Sequence, residues 1–151
     1  MKSKGIWEYT SINCDGLAFV AMDYTHHKHL DIPVAALCLP GHTLMSLGEI
    51  SPELSYLPLG AWSEHIHVCD PWTNINCSAP EYPEKFLKKM EKWDKGNKLI
   101  HDSREWINPT NEKWRACVKE IPLIYVRHKY DKGLFLDKNL LVPPAPGTRT
   151  D

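Results

Sequence analysis

The sequence contains no long hydrophobic run and no excess of one charge, and both absences exclude classes of protein. No stretch of the 151 residues has the length and apolar character of a membrane span, and no apolar segment of a signal peptide follows the basic N-terminus. The 18 lysines and arginines nearly balance the 19 aspartates and glutamates, and they form no basic stripe. We therefore expect neither a membrane nor a nucleic acid as partner, and a protein that is cytoplasmic or secreted without a signal peptide.

The cysteines also lack a regular spacing, since the five of them lie at positions 14, 38, 69, 77 and 117. An odd number without regular spacing argues against a closed disulfide framework and indicates reduced thiols in a reducing compartment. Hydrophobic residues make up 42% of the chain and charged residues 25%, which is typical of a folded domain. We expect a single catalytic-type domain over residues 1–142 and a flexible, proline-rich tail over residues 143–151.

The N-terminal half predicts one helix followed by three strands. Asn13 is a good N-cap, and apolar residues recur at helical spacing after it, so we expect a helix from Cys14 to about His27. Short apolar runs bounded by proline or glycine predict strands over Val34–Leu39 and His42–Ile50, and a third over Trp62–Asp70. In the second strand, alternation puts His42, Leu44 and Ser46 on one face and Thr43, Met45 and Leu47 on the other.

The C-terminal half predicts helices that cover this sheet. An apolar stripe and charge pairs four residues apart predict an amphipathic helix from Pro83 to about Gly96. We expect a further helix over Trp106–Val118, interrupted by Pro109, and a late strand over Leu123–Val126. The expected fold is therefore α+β, with the first helix packed on a small antiparallel β-sheet and C-terminal helices over it.

Three residues that are distant in the chain have the chemistry of a thiol enzyme. Cys14 lies in the first turn of the predicted helix, where N–H groups and a partial positive charge stabilise a thiolate and can donate to an oxyanion. His42 begins one predicted strand and Asp70 ends the next, so antiparallel pairing of these strands would bring an imidazole to a carboxylate. Attack of a thiolate on a carboxamide needs a base and a group that orients this base, and His42 and Asp70 are the candidates.

These residues lie in short runs that resemble the transglutaminase-like and papain-like superfamily of Cys-His-Asp enzymes. The resemblance spans residues 12–75 and implies the corresponding core fold, a helix that begins at the cysteine and packs on an antiparallel sheet. It also implies that Cys14 is the nucleophile, His42 the general base and acid, and Asp70 the orienting carboxylate, with no cofactor. The side chain that completes the oxyanion site stays open among Trp7, Tyr9 and Asn13. The runs are Asn13-Cys14-Asp15-Gly16-Leu17-Ala18, Gly41-His42 and Val68-Cys69-Asp70-Pro71-Trp72.

The resemblance also implies an activity. The superfamily includes bacterial effector deamidases and cysteine proteases, so we expect a hydrolase or acyltransferase that acts on a protein carboxamide through a thioester on Cys14. Water as acceptor gives glutamine deamidation or proteolysis, whereas an amine gives transglutamination, and the sequence leaves these open. The implied partner is a protein substrate, which for a virulence effector is a host protein in the host cell cytosol.

A second group of side chains gives an alternative reading of the sequence. His65, His67 and Cys69 alternate along the predicted third strand and Cys77 follows it, so four zinc-type ligands would be close enough to stabilise a binding module. This group lacks the closely spaced cysteine pairs that are typical of strong zinc motifs. A catalytically silent interaction domain with the same fold is the other alternative.

Overall fold

An antiparallel sheet of six strands forms the centre of the computed structural model, which describes residues 14–28, 31–102, 105–127 and 141–142. The predicted mixed α+β class with an antiparallel sheet is confirmed. The helices are α1 (Cys14–Lys28), α2 (Tyr82–Lys95) and α3 (Glu112–Arg115), and short 3-10 helices lie at Leu54–Tyr56, Leu59–Ala61, Ala79–Glu81 and Ala116–Lys119. The strands are β1 (Val34–Leu39), β2 (His42–Leu47), β3 (His67–Asp70), β4 (Ile75–Ser78), β5 (Ile100–Asp102), β6 (Glu105–Ile107), β7 (Leu123–Arg127) and β8 (Leu141–Val142). The sheet order is β4, β3, β2, β1, β7, β8, and β5 pairs separately with β6.

The tight turn between β1 and β2 sets the register of the central strands. Leu39 pairs with His42, so only Pro40 and Gly41 reverse the chain. Gly41 has φ +78°, a left-handed conformation that glycine adopts without the steric cost of a Cβ. This turn fixes His42 as the first residue of β2.

The two faces of the sheet carry separate apolar clusters, because side chains alternate along each strand. We call them the α1 face and the α2 face, after the helix that packs on each of them. The predicted alternation along β2 is confirmed, since Met45 belongs to one cluster and Leu44 to the other. Buried members of the α1 face are Met22, Val34, Ala36 and Met45, and those of the α2 face include Leu37, Leu44, Val68, Phe86 and Met90.

The prediction of a third strand that starts near Trp62 is wrong. Residues 51–66 form turns and two short 3-10 helices, and β3 begins only at His67. Trp62 is buried, and its indole N–H donates to the carbonyl of Leu57 at 2.8 Å. Its apolar side chain therefore packs into the core from a turn, and a single large residue of this kind does not indicate a strand.

The prediction of a helix over Trp106–Val118 is wrong for the residues before Pro109, whereas Glu112–Arg115 and Ala116–Lys119 are helical. The chain before Pro109 forms β6, which pairs with β5, and α3 begins at Glu112. Proline has no N–H to donate to a helix, and the Asn111 side chain accepts a hydrogen bond from the Trp114 N–H at 3.0 Å. The cap therefore starts the helix after the proline, and the residues before it are left to pair as a strand.

The remaining predicted elements occur close to where we expect them. The first helix ends at Lys28 instead of about His27, and the second strand ends at Leu47 instead of Ile50. The amphipathic helix spans Tyr82–Lys95, and the late strand extends to Arg127. Strand β4 is present although no sequence pattern indicated it. The predicted tail lies outside the described residues. Within the described ranges, none of the helices has both the length and the apolar composition needed to cross a bilayer.

Candidate active site

The imidazole of His42 and the carboxylate of Asp70 form a hydrogen bond on the α2 face. His42 begins β2 and Asp70 ends β3, and the two strands pair antiparallel with Met45 opposite Cys69. This pairing brings together two residues that are 28 positions apart in the chain. The Nε2 atom of His42 lies 2.7 Å from Oδ2 of Asp70. The structure thus unites two of the three residues that the sequence predicts for the site.

Tyr82 is a third polar member of this cluster, and it comes from the first residue of α2. Its hydroxyl donates to Oδ2 of Asp70 at 2.5 Å and lies 3.1 Å from Nε2 of His42. Sequence reasoning missed this residue, because a tyrosine at the start of an amphipathic helix looks like an ordinary core residue. The available signal was weak: a buried tyrosine needs a partner for its hydroxyl.

The other carboxylate oxygen of Asp70 is bound by the backbone of the turn that follows β3. Oδ1 accepts hydrogen bonds from the N–H groups of Trp72 at 3.2 Å and Thr73 at 3.3 Å. Asp70 therefore both stabilises the turn that follows β3 and binds His42. Because both of its oxygens are engaged, its orientation is fixed by two strands, a turn and a helix.

The surroundings of Asp70 keep it ionised although it is fully buried. Burial alone would raise the pKa of Asp70, because the charged form loses its water. The charge of His42 and the hydrogen bonds from His42, Tyr82 and Thr73 outweigh this effect and hold the pKa below its ordinary value. The site therefore contains a buried carboxylate that is already deprotonated at neutral pH.

Aromatic rings surround the His42 imidazole on the α2 face. The centroid of its ring lies 5.2 Å from that of Trp72, 5.6 Å from Phe86 and 6.1 Å from Trp114. Only 1% of His42 and none of Asp70 is exposed. The hydrogen bond between them therefore lies in an apolar environment, where electrostatic interactions are stronger than in water.

The turn before His42 is covered by two other parts of the chain. A Cβ added to Gly41 would lie 3.3 Å from Cζ3 of Trp114 and 3.5 Å from Oδ1 of Asp102. Asp102 ends β5, so the β5–β6 pair comes next to the beginning of β2. Residues that are remote from the predicted site thus enclose the end of the sheet where the imidazole lies.

Cys14, the predicted nucleophile, is the first residue of α1, but its side chain lies outside the described residues. The helix it begins packs on the α1 face, through residues such as Met22. His42 and Asp70 point to the α2 face, where the aromatic residues contact them. The sheet therefore lies between the body of α1 and the histidine–aspartate pair.

The prediction of a four-ligand zinc group is wrong. His65 precedes β3 in a turn, so it does not share the strand face of His67 and Cys69. Cys77 pairs with Val68 and belongs to the α2 face, whereas Cys69 packs on the α1 face. In the described ranges, no three His, Cys, Asp or Glu side chains lie close enough together to hold a metal ion.

Two of the other cysteines have environments that suppress thiolate formation. Burial raises the pKa of the Cys69 thiol, and the charge of Asp70 raises it further. Burial and the charge of Glu81 raise the pKa of the Cys77 thiol, although Lys85 acts in the opposite direction. Because the thiolate is the reactive form, both cysteines are poor nucleophiles at neutral pH.

No protein-family model matches the sequence, and no curated protein and no solved structure is significantly similar to it. The features that bear on function are therefore the contacts of the histidine–aspartate pair, the chain order of the three residues, and the short runs around them.

Proposed function

We propose that the chain is a thiol hydrolase or acyltransferase with a transglutaminase-like or papain-like core, in which Cys14, His42 and Asp70 act on a protein carboxamide. The observation that supports it most is the 2.7 Å contact between Nε2 of His42 and Oδ2 of Asp70. A carboxylate on one ring nitrogen fixes the tautomer, orients the ring and stabilises the imidazolium that forms when the ring takes up a proton. Because Nε2 contacts Asp70, Nδ1 is the nitrogen that exchanges a proton with the thiol.

The course of α1 supports Cys14 as the source of that thiol. The helix packs on β1, β2 and β3, and residues 29–33 connect it to β1. Its last turn is therefore near the start of β1. The helix is about 22 Å long, so its first turn lies toward the opposite end of the strand. The chain enters β2 at this end, where His42 lies. Because the helix and the imidazole are on opposite faces, the proposal requires the thiol to reach the ring around the end of β2.

The proposed reaction proceeds through two acyl transfers. His42 takes the proton of Cys14, and the thiolate attacks the carboxamide carbon to form a carbon–sulfur bond. The carbon–nitrogen bond then breaks, and the imidazolium returns its proton to the departing ammonia, or to the departing amine if a peptide bond is cleaved. Water, deprotonated by His42, opens the thioester to a carboxylate, whereas a primary amine opens it to a new amide. Either step regenerates the thiol.

Selective alkylation of the wild-type protein tests whether Cys14 is activated. Limiting iodoacetamide at pH 6, followed by peptide mass spectrometry, compares the rate at Cys14 with the rates at Cys69 and Cys77 in one sample. We expect Cys14 to react at least ~10-fold faster, because a thiol beside an imidazole stays largely deprotonated well below the pKa of an ordinary cysteine. A rate at Cys14 that rises with pH like that of an unperturbed thiol would contradict the proposal.

Substitutions at two different histidines provide the matched control for this experiment. His42→Asn removes the proposed base, whereas His67→Asn removes an exposed histidine of the same sheet. We expect the first substitution to abolish the fast alkylation of Cys14 and the second to leave it unchanged. If both variants alkylate like the wild type, His42 does not activate the thiol.

A second experiment tests which molecule accepts the acyl group from the thioester. Glutamine-containing peptides are incubated with the protein in the presence and absence of a primary amine. Ammonia release with either a new carboxylate or a new amide on the peptide supports a deamidase or a transglutaminase. Peptide cleavage without ammonia release supports a protease. Cys14→Ala should lose whichever product the wild type forms, and retention of the product in this variant would contradict the role of the thiol.

A catalytically silent interaction domain is the second candidate, and the complete burial of the pair favours it. His42 and Asp70 are 1% and 0% exposed, which is also the environment of a structural hydrogen bond in a core. In this case Cys14→Ala would retain the binding and the cellular effect of the wild type. The alkylation rates separate the two candidates, because a structural pair confers no unusual reactivity on a distant thiol.

A further inference from the structure

The Oδ2 atom of Asp70 accepts from two side chains, and only one of them belongs to the proposed triad. Tyr82 donates its hydroxyl at 2.5 Å, and His42 approaches the same oxygen at 2.7 Å. The hydroxyl oxygen also lies 3.1 Å from Nε2 of His42, so the three polar atoms form a closed triangle. A change at any corner of this triangle therefore acts on the other two.

The position of the Tyr82 hydroxyl is fixed by its surroundings. Tyr82 is fully buried and begins α2 directly after the 3-10 helix Ala79–Glu81. Its ring packs 5.8 Å from that of Phe86, one turn further along the same helix. Pro83 occupies the first turn of α2 without any loss of helical hydrogen bonding there. The helix thus presents the hydroxyl to the carboxylate in one orientation.

We propose that Tyr82 is a positioning residue of the proposed thiol site, which holds the Asp70 carboxylate in place and limits how strongly this carboxylate binds the His42 ring. The proposal rests on the function proposed above and adds a fourth residue to it. Tyr82 does not touch the reacting atoms, because its hydroxyl lies on the Nε2 side of the ring, away from Nδ1. It acts on the ring through Asp70 and through its own contact with Nε2.

The sign of the effect follows from the shared oxygen. A carboxylate that accepts a strong hydrogen bond from a phenol has less negative charge available for a second donor. Loss of the hydroxyl leaves Oδ2 to His42 alone, so the bond between them strengthens and the imidazolium becomes more stable. Tyr82 therefore keeps the imidazole from holding its proton too tightly, which matters for a group that must accept and release that proton in each cycle.

The groups that face His42 make this prediction specific. Asp70 approaches from β3 and Tyr82 from α2, and the other rings packed on it, those of Trp72, Phe86 and Trp114, carry no charge. Asp102 comes near the neighbouring Gly41 from the β5–β6 pair and is unchanged by a substitution at Tyr82. A change in the titration of His42 in a Tyr82 variant therefore reports the loss of the hydroxyl from the triangle, both through Asp70 and through the 3.1 Å contact with Nε2.

The test is nuclear magnetic resonance of the full chain with ¹⁵N-labelled histidine, recorded as a function of pH for the wild type and Tyr82→Phe. We expect the midpoint of the His42 titration to rise by about half a pH unit or more in the variant. The Nε2 proton should also move downfield, because its hydrogen bond to Oδ2 strengthens. Tyr56→Phe removes a partly exposed hydroxyl elsewhere and should change neither signal.

An unchanged midpoint together with an unchanged Nε2 proton in Tyr82→Phe would overturn the proposal. A merely structural hydroxyl would lower the unfolding midpoint of the variant and leave both histidine signals in place. Biosynthetic 3-fluorotyrosine gives a second test, since its more acidic phenol donates more strongly and should shift His42 in the opposite direction. This opposite shift should disappear when Tyr82→Phe is introduced into the fluorinated protein.

Alkylation of Cys14 in the same variants separates this proposal from the proposed function. If both hold, the pH profile of alkylation shifts together with the His42 signals. If the His42 signals shift but the alkylation profile does not, Tyr82 positions the histidine–aspartate pair, but this pair does not activate Cys14. If His42→Asn abolishes fast alkylation and Tyr82→Phe changes nothing, the thiol enzyme stands and Tyr82 has no part in it.

Discussion

Gly41 lies against the indole of Trp114, and a Cβ at this glycine would come within 3.3 Å of Cζ3. The contact joins the turn that begins β2 to the helix α3, which lies more than seventy positions later in the sequence. Because His42 follows the turn directly, the glycine and the tryptophan together determine where the imidazole enters the core. The candidate site is thus held by packing between distant segments as well as by its own hydrogen bonds.

Gly41→Ala should destabilise the protein by about 1–2 kcal/mol, because alanine is strained at φ +78° and its Cβ would also press on Trp114. Urea unfolding measures the loss. The matched control is Gly60→Ala, since the nearest atom to its added Cβ is Pro83 Cγ at 3.9 Å. Equal stability of the two alanine variants would show that the turn does not need a glycine.

Asp70→Asn should lower the free energy of unfolding by roughly 3 kcal/mol, because a buried imidazole and a buried hydroxyl lose their charged partner. Glu84→Gln is the surface control. Its carboxylate lies 3.5 Å from Lys88 Nζ, but both side chains are about three-quarters exposed, so we expect almost no effect. A loss at Asp70 no larger than that at Glu84 would mean that the buried pair adds nothing to stability.

Acid should weaken the fold through Asp70. Its pKa is lower in the folded protein than the ordinary 3.8, so the unfolded chain binds the proton more readily. The stabilisation is therefore complete from about pH 5 upward, begins to fall near the ordinary pKa, and is lost as the pH falls through the folded pKa. Urea unfolding between pH 7 and pH 2 should show this decline in the wild type. Asp70→Asn should show a smaller decline over the same range, and parallel curves would rule out the assignment.

Met90→Leu should cost about 1–2 kcal/mol although the two side chains have similar volumes. The indole N–H of Trp114 donates to the sulfur of Met90 at 3.2 Å, and leucine would leave this buried donor without its acceptor. Met45→Leu is the matched control, because Met45 is also buried but lies on the α1 face. Thermal unfolding of both variants compares the two costs, and an equal effect would show that the sulfur contributes only its volume.

The sequence was sufficient to predict the histidine–aspartate pair because the information is local to two strands. Alternation along β2 assigns His42 to one face, and Pro71 stops β3 just after Asp70. Antiparallel pairing of consecutive strands then brings the two ends together. Each step depends on residues within a few positions of the one being placed.

The aromatic residues that surround the histidine–aspartate pair could not be predicted from local sequence patterns. Tyr82, Phe86 and Trp114 reach the imidazole from helices whose docking depends on the whole α2 face, and no short pattern specifies that docking. The zinc hypothesis failed for a related reason. It assumed that Trp62 began a strand, whereas this side chain is buried from a turn.

The polar triangle is built entirely from residues 42 to 82, on the side of the sheet away from α1. Closing it joins positions 28 and 40 residues apart, which is a modest loop cost for a chain of this size. The strands and α2 can therefore complete this cluster before the first helix docks. Local unfolding of α1 should therefore let its amide hydrogens exchange with solvent while those of β2 and β3 stay protected. The helix that begins at Cys14 would then detach and return without unfolding of the other elements.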